Sequence, residues 1–427
     1  MITVENLSTL TPERRKAILS RSTVDLSKVA EKTKVILERL RADPQKELFQ
    51  EYGSYKNNIC LEDFKASPQE IQSALETLTP ELKSALQIAA DNIERFHQSQ
   101  LEKPMYMTEI SPGLLTGRLT RPLSKVGVYI PGGLASYPSS ALMNIIPAKV
   151  AGVETIVAAT PPGLDLKARP EILAACSLAG ATEIYKLGGA WAIGSLAYGL
   201  AGVPKVDKIV GPGSSWVTAA KMAVFGEVDV DQPAGPSEGF IIADRTAQPL
   251  HLAWDFLSQL EHDPQASAVL VTTCQELATT VVSSVNTLSH RLERAEIVRE
   301  SLANAAILYC SSLTEAFDFA NIYAPEHLQI IVEEAISYLG LIKNAGSIFL
   351  GPWSPIPAGD YATGPNHVLP TGGSARAFSG LSTDSFLKKM TFQKLTHAAL
   401  KELSPTITTL ALAEGLPAHA QTILVRS

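Results

Sequence analysis

The chain has 427 residues, room for two or three domains; with 45% hydrophobic and 19% charged residues and 28 glycines its composition is globular, which excludes disorder, collagen and coiled coil. Its 36 Lys and Arg against 43 Asp and Glu leave a formal net charge of −7, so no global positive field draws in nucleic acid or an anionic membrane. Cys60, Cys176, Cys274 and Cys310 are scattered singly with no CxxC, which reads as a reducing, cytoplasmic compartment.

The start, MITVENLSTLTPERRK, offers Glu5, Glu13 and basic residues where a secretory signal needs an apolar run, so none is expected. Residues 1–109 are mainly helical in pattern. Pro68 with Glu70 and Pro80 with Glu81 each set a proline and an acid at a helix start, and the segment reads as scaffold packing on the second of two lobes. From about residue 110, short β-branched runs alternate with helical patterns. Candidate strands fall at 126–130, 155–159, 183–187, 208–210, 240–243, 268–272, 306–309, 328–332 and 347–350. This alternation predicts an α/β fold of two incomplete, Rossmann-like lobes with parallel sheets. The stretch DQPAGPSEG at 231–239 divides the strands, placing the lobes at 110–236 and 237–380, with a small, mostly helical tail domain at 381–427. Two uncharged stretches, 126–148 and 187–204, reach membrane length, but their prolines and glycines suit strand, turn and buried helix better.

Chemistry-bearing residues gather in the second half. The string AWDFLSQLEHDP, in a helix from near Thr246 to Pro264, sets Leu252, Phe256, Leu257 and Leu260 on an apolar arc and Gln259 with His262 on its edge. An amide oxygen and an imidazole so spaced can donate to one metal, although an ordinary polar helix edge has the same spacing. Asp255 fits a carboxylate steadying such a ligand or, more plainly, a solvated side chain. Glu326 and His327 lie between a proline turn and a strand, where both can face a cleft and serve as general bases; an exposed polar turn is the plain alternative. Asp360 and His367 occupy a long loop dense in Gly and Pro, and Glu414 and His419 a tail that otherwise reads as a surface helix. Two glycine turns, VGVYIPGG at 126 and VGPGSSW at 210, follow strands; the second leads into a helix whose N-terminus suits an anion, but neither completes GxGxxG, and tight structural turns fit as well.

Taken in order, VGVYIPGGLASYPSSALMNIIPAKVAGV (126–153), VDKIVGPG (206–213), PAGPSE (233–238), LSQLEHD (257–263), APEHL (324–328), GDYATGPNHVLPTGG (359–373), FSGLSTDSFLKK (378–389) and EGLPAHA (414–420) resemble the histidinol dehydrogenase family, which is zinc- and NAD-dependent. The resemblance implies a homodimer with a domain-swapped tail and one Zn2+ per subunit held by Gln259, His262 and Asp360 of one chain and His419 of the partner subunit. It implies oxidation of L-histidinol through L-histidinal to L-histidine with two NAD. His327 would take the hydroxyl proton and Glu326 activate water, while Ser237, His367 and Glu414 join the zinc ligands around the substrate. The cofactor contacts would be Tyr129, Trp191 and Ser214. The last two depart from the family, which usually has GGAQAIAALAYG and GPGNAYV where this chain has GGAWAIGSLAYG and GPGSSWV. Losing two amides removes directional hydrogen bonds while Trp191 offers a stacking face, so altered cofactor binding is expected. A paralogue oxidising another primary alcohol, such as a dihydroxypropanesulfonate, is the alternative; a carboxylate at Glu414 would repel such an anion. A zinc-stabilised binding protein would need neither Glu326 nor His327.

Overall fold

The computed structural model describes residues 2–21, 26–132, 136–232 and 235–426. The chain opens with strand β1 (Val4–Asn6) and helices α1 (Pro12–Ser20), α2 (Ser27–Ala42), α3 (Pro44–Tyr52), α4 (Pro68–Thr77) and α5 (Pro80–Gln98). At α1, α3, α4 and α5 a proline opens the first turn behind Thr11, Asp43, Ser67 or Thr79, whose side chain accepts an amide N–H three residues on. Two strands follow, β2 (Met105–Ser111) and β3 (Leu114–Pro122).

The first lobe runs β4 (Lys125–Tyr129), α6 (Pro138–Ala151), β5 (Thr155–Ala159), α7 (Pro170–Ala179), β6 (Glu183–Tyr185), α8 (Gly189–Tyr198), β7 (Lys208–Val210), α9 (Ser215–Val224) and β8 (Asp229–Val230). Its parallel sheet has the order β6-β5-β4-β7-β8, so the winding direction reverses between β4 and β7. The second lobe runs β9 (Glu238–Ala243), α10 (Pro249–Leu260), β10 (Ser267–Thr272), α11 (Gln275–Leu288), α12 (Ala295–Ser301), β11 (Ala306–Tyr309), α13 (Leu313–Tyr323), β12 (His327–Ile331), β13 (Ser347–Leu350) and α14 (Ile356–Tyr361). Its parallel sheet reads β1-β11-β10-β9-β12-β13 and reverses between β9 and β12. Strands β9 and β10 are buried along their whole length, as expected where helices cover both faces. The tail is β14 (Leu387–Leu395), α15 (His397–Ala413) and α16 (Pro417–Leu424).

Two expectations are corrected. The amino-terminal segment does not pack on the second lobe alone. Leu7 and Ile18 join the second core with Phe240 and Leu308, but Leu40 and Leu48 pack with Ile193 and Leu196, and Leu86 and Ile93 with Ile145 and Ile172, on the first. Residues beyond the 360s also return to the first lobe, where Val368, Leu381 and Phe386 are buried in its core. Beyond the predicted strands, β2, β3 and β14 form a three-stranded antiparallel sheet, ordered β14-β3-β2. Its outer strands bury almost nothing, β2 being exposed at every residue, so they carry no apolar alternation to read. Among the described residues no helix is long and apolar enough to cross a membrane.

Candidate active site

Where the winding reverses in the second sheet, β9 and β12 begin side by side, and His327, the first residue of β12, pairs with Gly239. The preceding residue on β9, Glu238, grips both neighbours through its backbone. Its N–H donates to Glu326 Oε2 at 2.8 Å, and its carbonyl accepts from His327 Nδ1 at 3.1 Å. A proton fixed on Nδ1 by that carbonyl leaves Nε2 as the basic nitrogen of the neutral ring. This Nε2 is buried without a hydrogen-bond partner and stands 3.4 Å from Asp360 Oδ1. Glu326 Oε2 lies 3.5 Å from His327 Nδ1.

Burial pushes the Glu326 carboxyl up, and the Glu238 and Asp360 carboxylates add to this while His327 opposes it. Burial alone would lower His327, but Glu326 and Asp360 outweigh it and raise the imidazole. The protonation of each group therefore depends on that of the other. Asp360, on α14, is held below the usual carboxylate range by His327, His367 and His262 in spite of its burial.

Helix α10 carries Gln259 back to this edge of the sheet. Its amide packs against Gly239, where a Cβ would come within 2.5 Å of Gln259 Cγ, so only glycine fits. Gln259 is 1% exposed, yet neither of its amide heteroatoms finds a partner. Unpaired buried polar groups cost about 1–3 kcal/mol each, so this amide fits a place that a ligand completes. The helix ends at Leu260, four residues before Pro264, whose ring cannot continue it. His262 thus sits on the turn beyond the helix and not on its edge as the periodicity predicted. It is open to solvent on one side, while protein crowding on the other lowers its pKa, against the pull of Asp360. Asp255 is not the solvated carboxylate expected; it is buried and accepts from Gln329 Nε2 at 2.8 Å.

The 362–373 loop reaches across to the first lobe. His367 donates from Nδ1 to the Asp360 carbonyl at 2.8 Å and places Nε2 3.5 Å from Ser140 Oγ on α6, and Asn366 donates to the Met143 carbonyl at 2.6 Å. Ser237, half-buried just before β9, accepts the Ser267 N–H on its carbonyl at 3.0 Å. The structure thus gathers Gln259, His262, Glu326, His327, Asp360 and His367. Glu414 and His419 stay apart, exposed at the end of α15 and on α16. Among the described residues no three His, Cys, Asp or Glu form a ready metal cage, as one expected ligand is a glutamine and another is on the tail.

On the first lobe, Tyr129 ends β4 and Ser214 precedes α9 just beyond β7, at the carboxyl edge where that sheet reverses. Ser214 is exposed and forms no side-chain cap. The Tyr52 and Tyr129 hydroxyls accept the N–H groups of Gly188 and Gly189 at 3.0 and 3.3 Å, so the start of α8 is already capped. Trp191 is drawn onto α3, its indole donating to Glu47 Oε1 at 3.3 Å and its ring meeting Tyr52 edge-on at 6.2 Å. At the second glycine turn, Gly211 has φ 116°, and a Cβ there would strike the Tyr129 carbonyl. A buried ion pair, Lys221 with Asp231, holds both backbone groups of Gly211: Lys221 Nζ donates to its carbonyl at 3.0 Å and Asp231 accepts its N–H at 2.7 Å. Gly133 of the first turn and Pro233 and Ala234 of PAGPSE lie outside the described residues. The sequence reading assigned nothing to Glu238, Lys221 or Asp231. A lone charge in apolar text was the only signal.

Two facing α/β lobes, one offering a switch-point edge and the other a buried carboxyl–imidazole pair, have the build of a dehydrogenase-type oxidoreductase. The family profile described as Histidinol dehydrogenase matches residues 19–427, and the chain belongs to that family. It is 48% identical over 409 residues to the histidinol dehydrogenase of Methanothermobacter thermautotrophicus, covering 96% of each chain, and 45% identical over 426 residues to that of Methanosarcina barkeri, covering 100% and 98%. The crystal structure of histidinol dehydrogenase from Elizabethkingia anophelis matches with a TM-score of 0.93 at 38% identity, covering 100% of this chain and 98% of that one. The chain is thus an NAD-dependent oxidoreductase.

Proposed function

We propose that the enzyme oxidises L-histidinol through L-histidinal to L-histidine, reducing two NAD, at the end of histidine biosynthesis. The observation that carries this is the buried Glu326–His327 pair, fixed on one backbone and facing Asp360 and the unpaired amide of Gln259. Two successive oxidations set two proton tasks. His327 Nε2 takes the hydroxyl proton as hydride leaves the alcohol carbon for NAD. Glu326 takes a proton from the water that adds to the aldehyde, and the hydrate then gives up the second hydride.

The donor set fits one Zn2+ per subunit: Gln259, His262 and Asp360, completed by His419 of the partner subunit. The lowered His262 pKa keeps its ring neutral and able to ligate, and Asp360 stays ionised. When bound, the metal supplies a Lewis acid that orients the substrate's heteroatoms. Ser237, His367 and Glu414, with those ligands and His327, surround the amino alcohol and imidazole. Tyr129, Trp191 and Ser214 line the cofactor side.

A domain-swapped homodimer is supported by the exposure of Glu414 and His419 and by apolar side chains bared on an arm made of the β14-β3-β2 sheet, α15 and α16, among them Met107, Ile110, Leu410 and Leu412. All four cysteines are free, which supports a cytoplasmic location. The test is turnover of L-histidinol by zinc-loaded enzyme, with two NADH expected per histidinol; no turnover with NAD or NADP overturns the reading.

A further inference from the structure

Arg21 stands at the end of α1, far in sequence from every residue gathered at the candidate active site, with its side chain only 4% exposed. Its φ of 52° lies in the left-handed region, which costs an arginine about 1 kcal/mol or more and persists only where surrounding contacts enforce it. Those contacts converge on the acid–base pair. Nε lies 3.2 Å from Glu238 Oε1, whose carboxylate also accepts the Gly372 N–H at 2.6 Å. Nη2 donates to the Tyr323 carbonyl at 2.5 Å and stands 3.4 Å from that of Ala324, and the guanidinium lies over the Tyr323 ring, 3.5 Å from its centre. Arg21 thus grips two segments. One is Glu238, whose N–H and carbonyl hold Glu326 and His327. The other is the end of α13, three residues before Glu326, where carbonyls left without helical partners favour a cation.

We propose that Arg21 is a positioning residue for the Glu326–His327 pair, acting through Glu238. The inference rests on the roles given above to those two residues. Arg21 touches no residue assigned to substrate or zinc, so it sets the alignment of the bases and not the affinity for substrate. A mere buried ion pair would serve stability alone, and the two cases separate experimentally.

Arg21→Met is expected to lower kcat for L-histidinol at least tenfold with KM and zinc content within twofold of wild type. Because it leaves Glu238 buried and unpaired, it also lowers Tm. The double variant Arg21→Met with Glu238→Gln carries no unpaired charge, so Tm recovers while kcat stays low. A kcat of Arg21→Met within threefold of wild type, or recovery of kcat together with Tm in the double variant, overturns the proposal. The imidazole Nδ1–H of His327, followed by NMR on 15N-histidine-labelled protein and assigned by its loss in His327→Asn, is an activity-free readout. The double variant is expected to lose or shift that signal, and an unchanged signal overturns the proposal. If the wild type fails to oxidise histidinol, the function above falls, and the NMR comparison still decides the role of Arg21.

Discussion

The two lobes share a winding pattern but face the active site with opposite edges of their sheets. The first presents the carboxyl edge at its reversal, where Tyr129 and Ser214 stand beside the starts of α8 and α9. The second presents the amino edge, where Glu238 and His327 open neighbouring strands and α10 returns Gln259 to the same side. A carboxyl edge, with helix N-termini and glycine turns, is built to hold something. The amino edge here carries buried acids and an imidazole whose pKa values burial and neighbouring charge displace, and in the function proposed above it moves the protons. Topology therefore marks where a lobe can carry a site, and the buried charges decide which edge carries the chemistry.

This division predicts that damage to the second lobe falls on turnover. His327→Asn should lower kcat on the order of 10²–10⁴-fold, the usual contribution of a general base, with a folded protein by circular dichroism. Glu326→Gln should slow L-histidinal oxidation more than L-histidinol oxidation in single-turnover assays; equal losses would mean the pair does not divide the two proton tasks. His419→Ala should abolish zinc retention by elemental analysis, and normal metal content would remove the tail from the ligand set.

Damage to the first lobe should instead fall on stability and cofactor. Lys221→Met strands Asp231 in the interior and should cost about 3–5 kcal/mol in urea unfolding, most of it returning when Asp231→Asn is added. Trp191→Gln with Ser214→Asn should change KM for NAD by up to about tenfold, the reach of one or two hydrogen bonds, with kcat little altered; an unchanged KM would show that neither position meets the cofactor. The smallest effect concerns His97, fully buried beside the first lobe, its pKa lowered by burial. The unfolded state binds its proton first, so its contribution is present above about pH 6.5 and is lost as pH falls below that value. His97→Gln should flatten this acid limb of the unfolding curve.

Nine strands of the two parallel sheets were legible because parallel strands such as β9 and β10, buried on both faces, read as short apolar runs, and the starts of α4 and α5 because Pro behind Ser or Thr has a local cause. Strands β2 and β14 were not: β2 is exposed at every residue and shows no alternation, and β14 depends on a partner, β3, far back in the chain. The residues the structure gathers around His327 were visible as ordered motifs. Their supports, Arg21 and Glu238, were not, nor was the Lys221–Asp231 pair on the first lobe, because a buried ion pair announces itself only when both partners are placed.

The ends of the chain are each stitched into sheets made long before or long after them: β1 pairs with β11, and β14 with β3. Both pairings close very long loops, which is slow, and on the ribosome β3 waits with a bare edge until β14, far along the chain, is made. The arm that bears Glu414 and His419 is therefore among the last parts to form. A nascent or truncated chain can complete a lobe core well before it can complete an active centre.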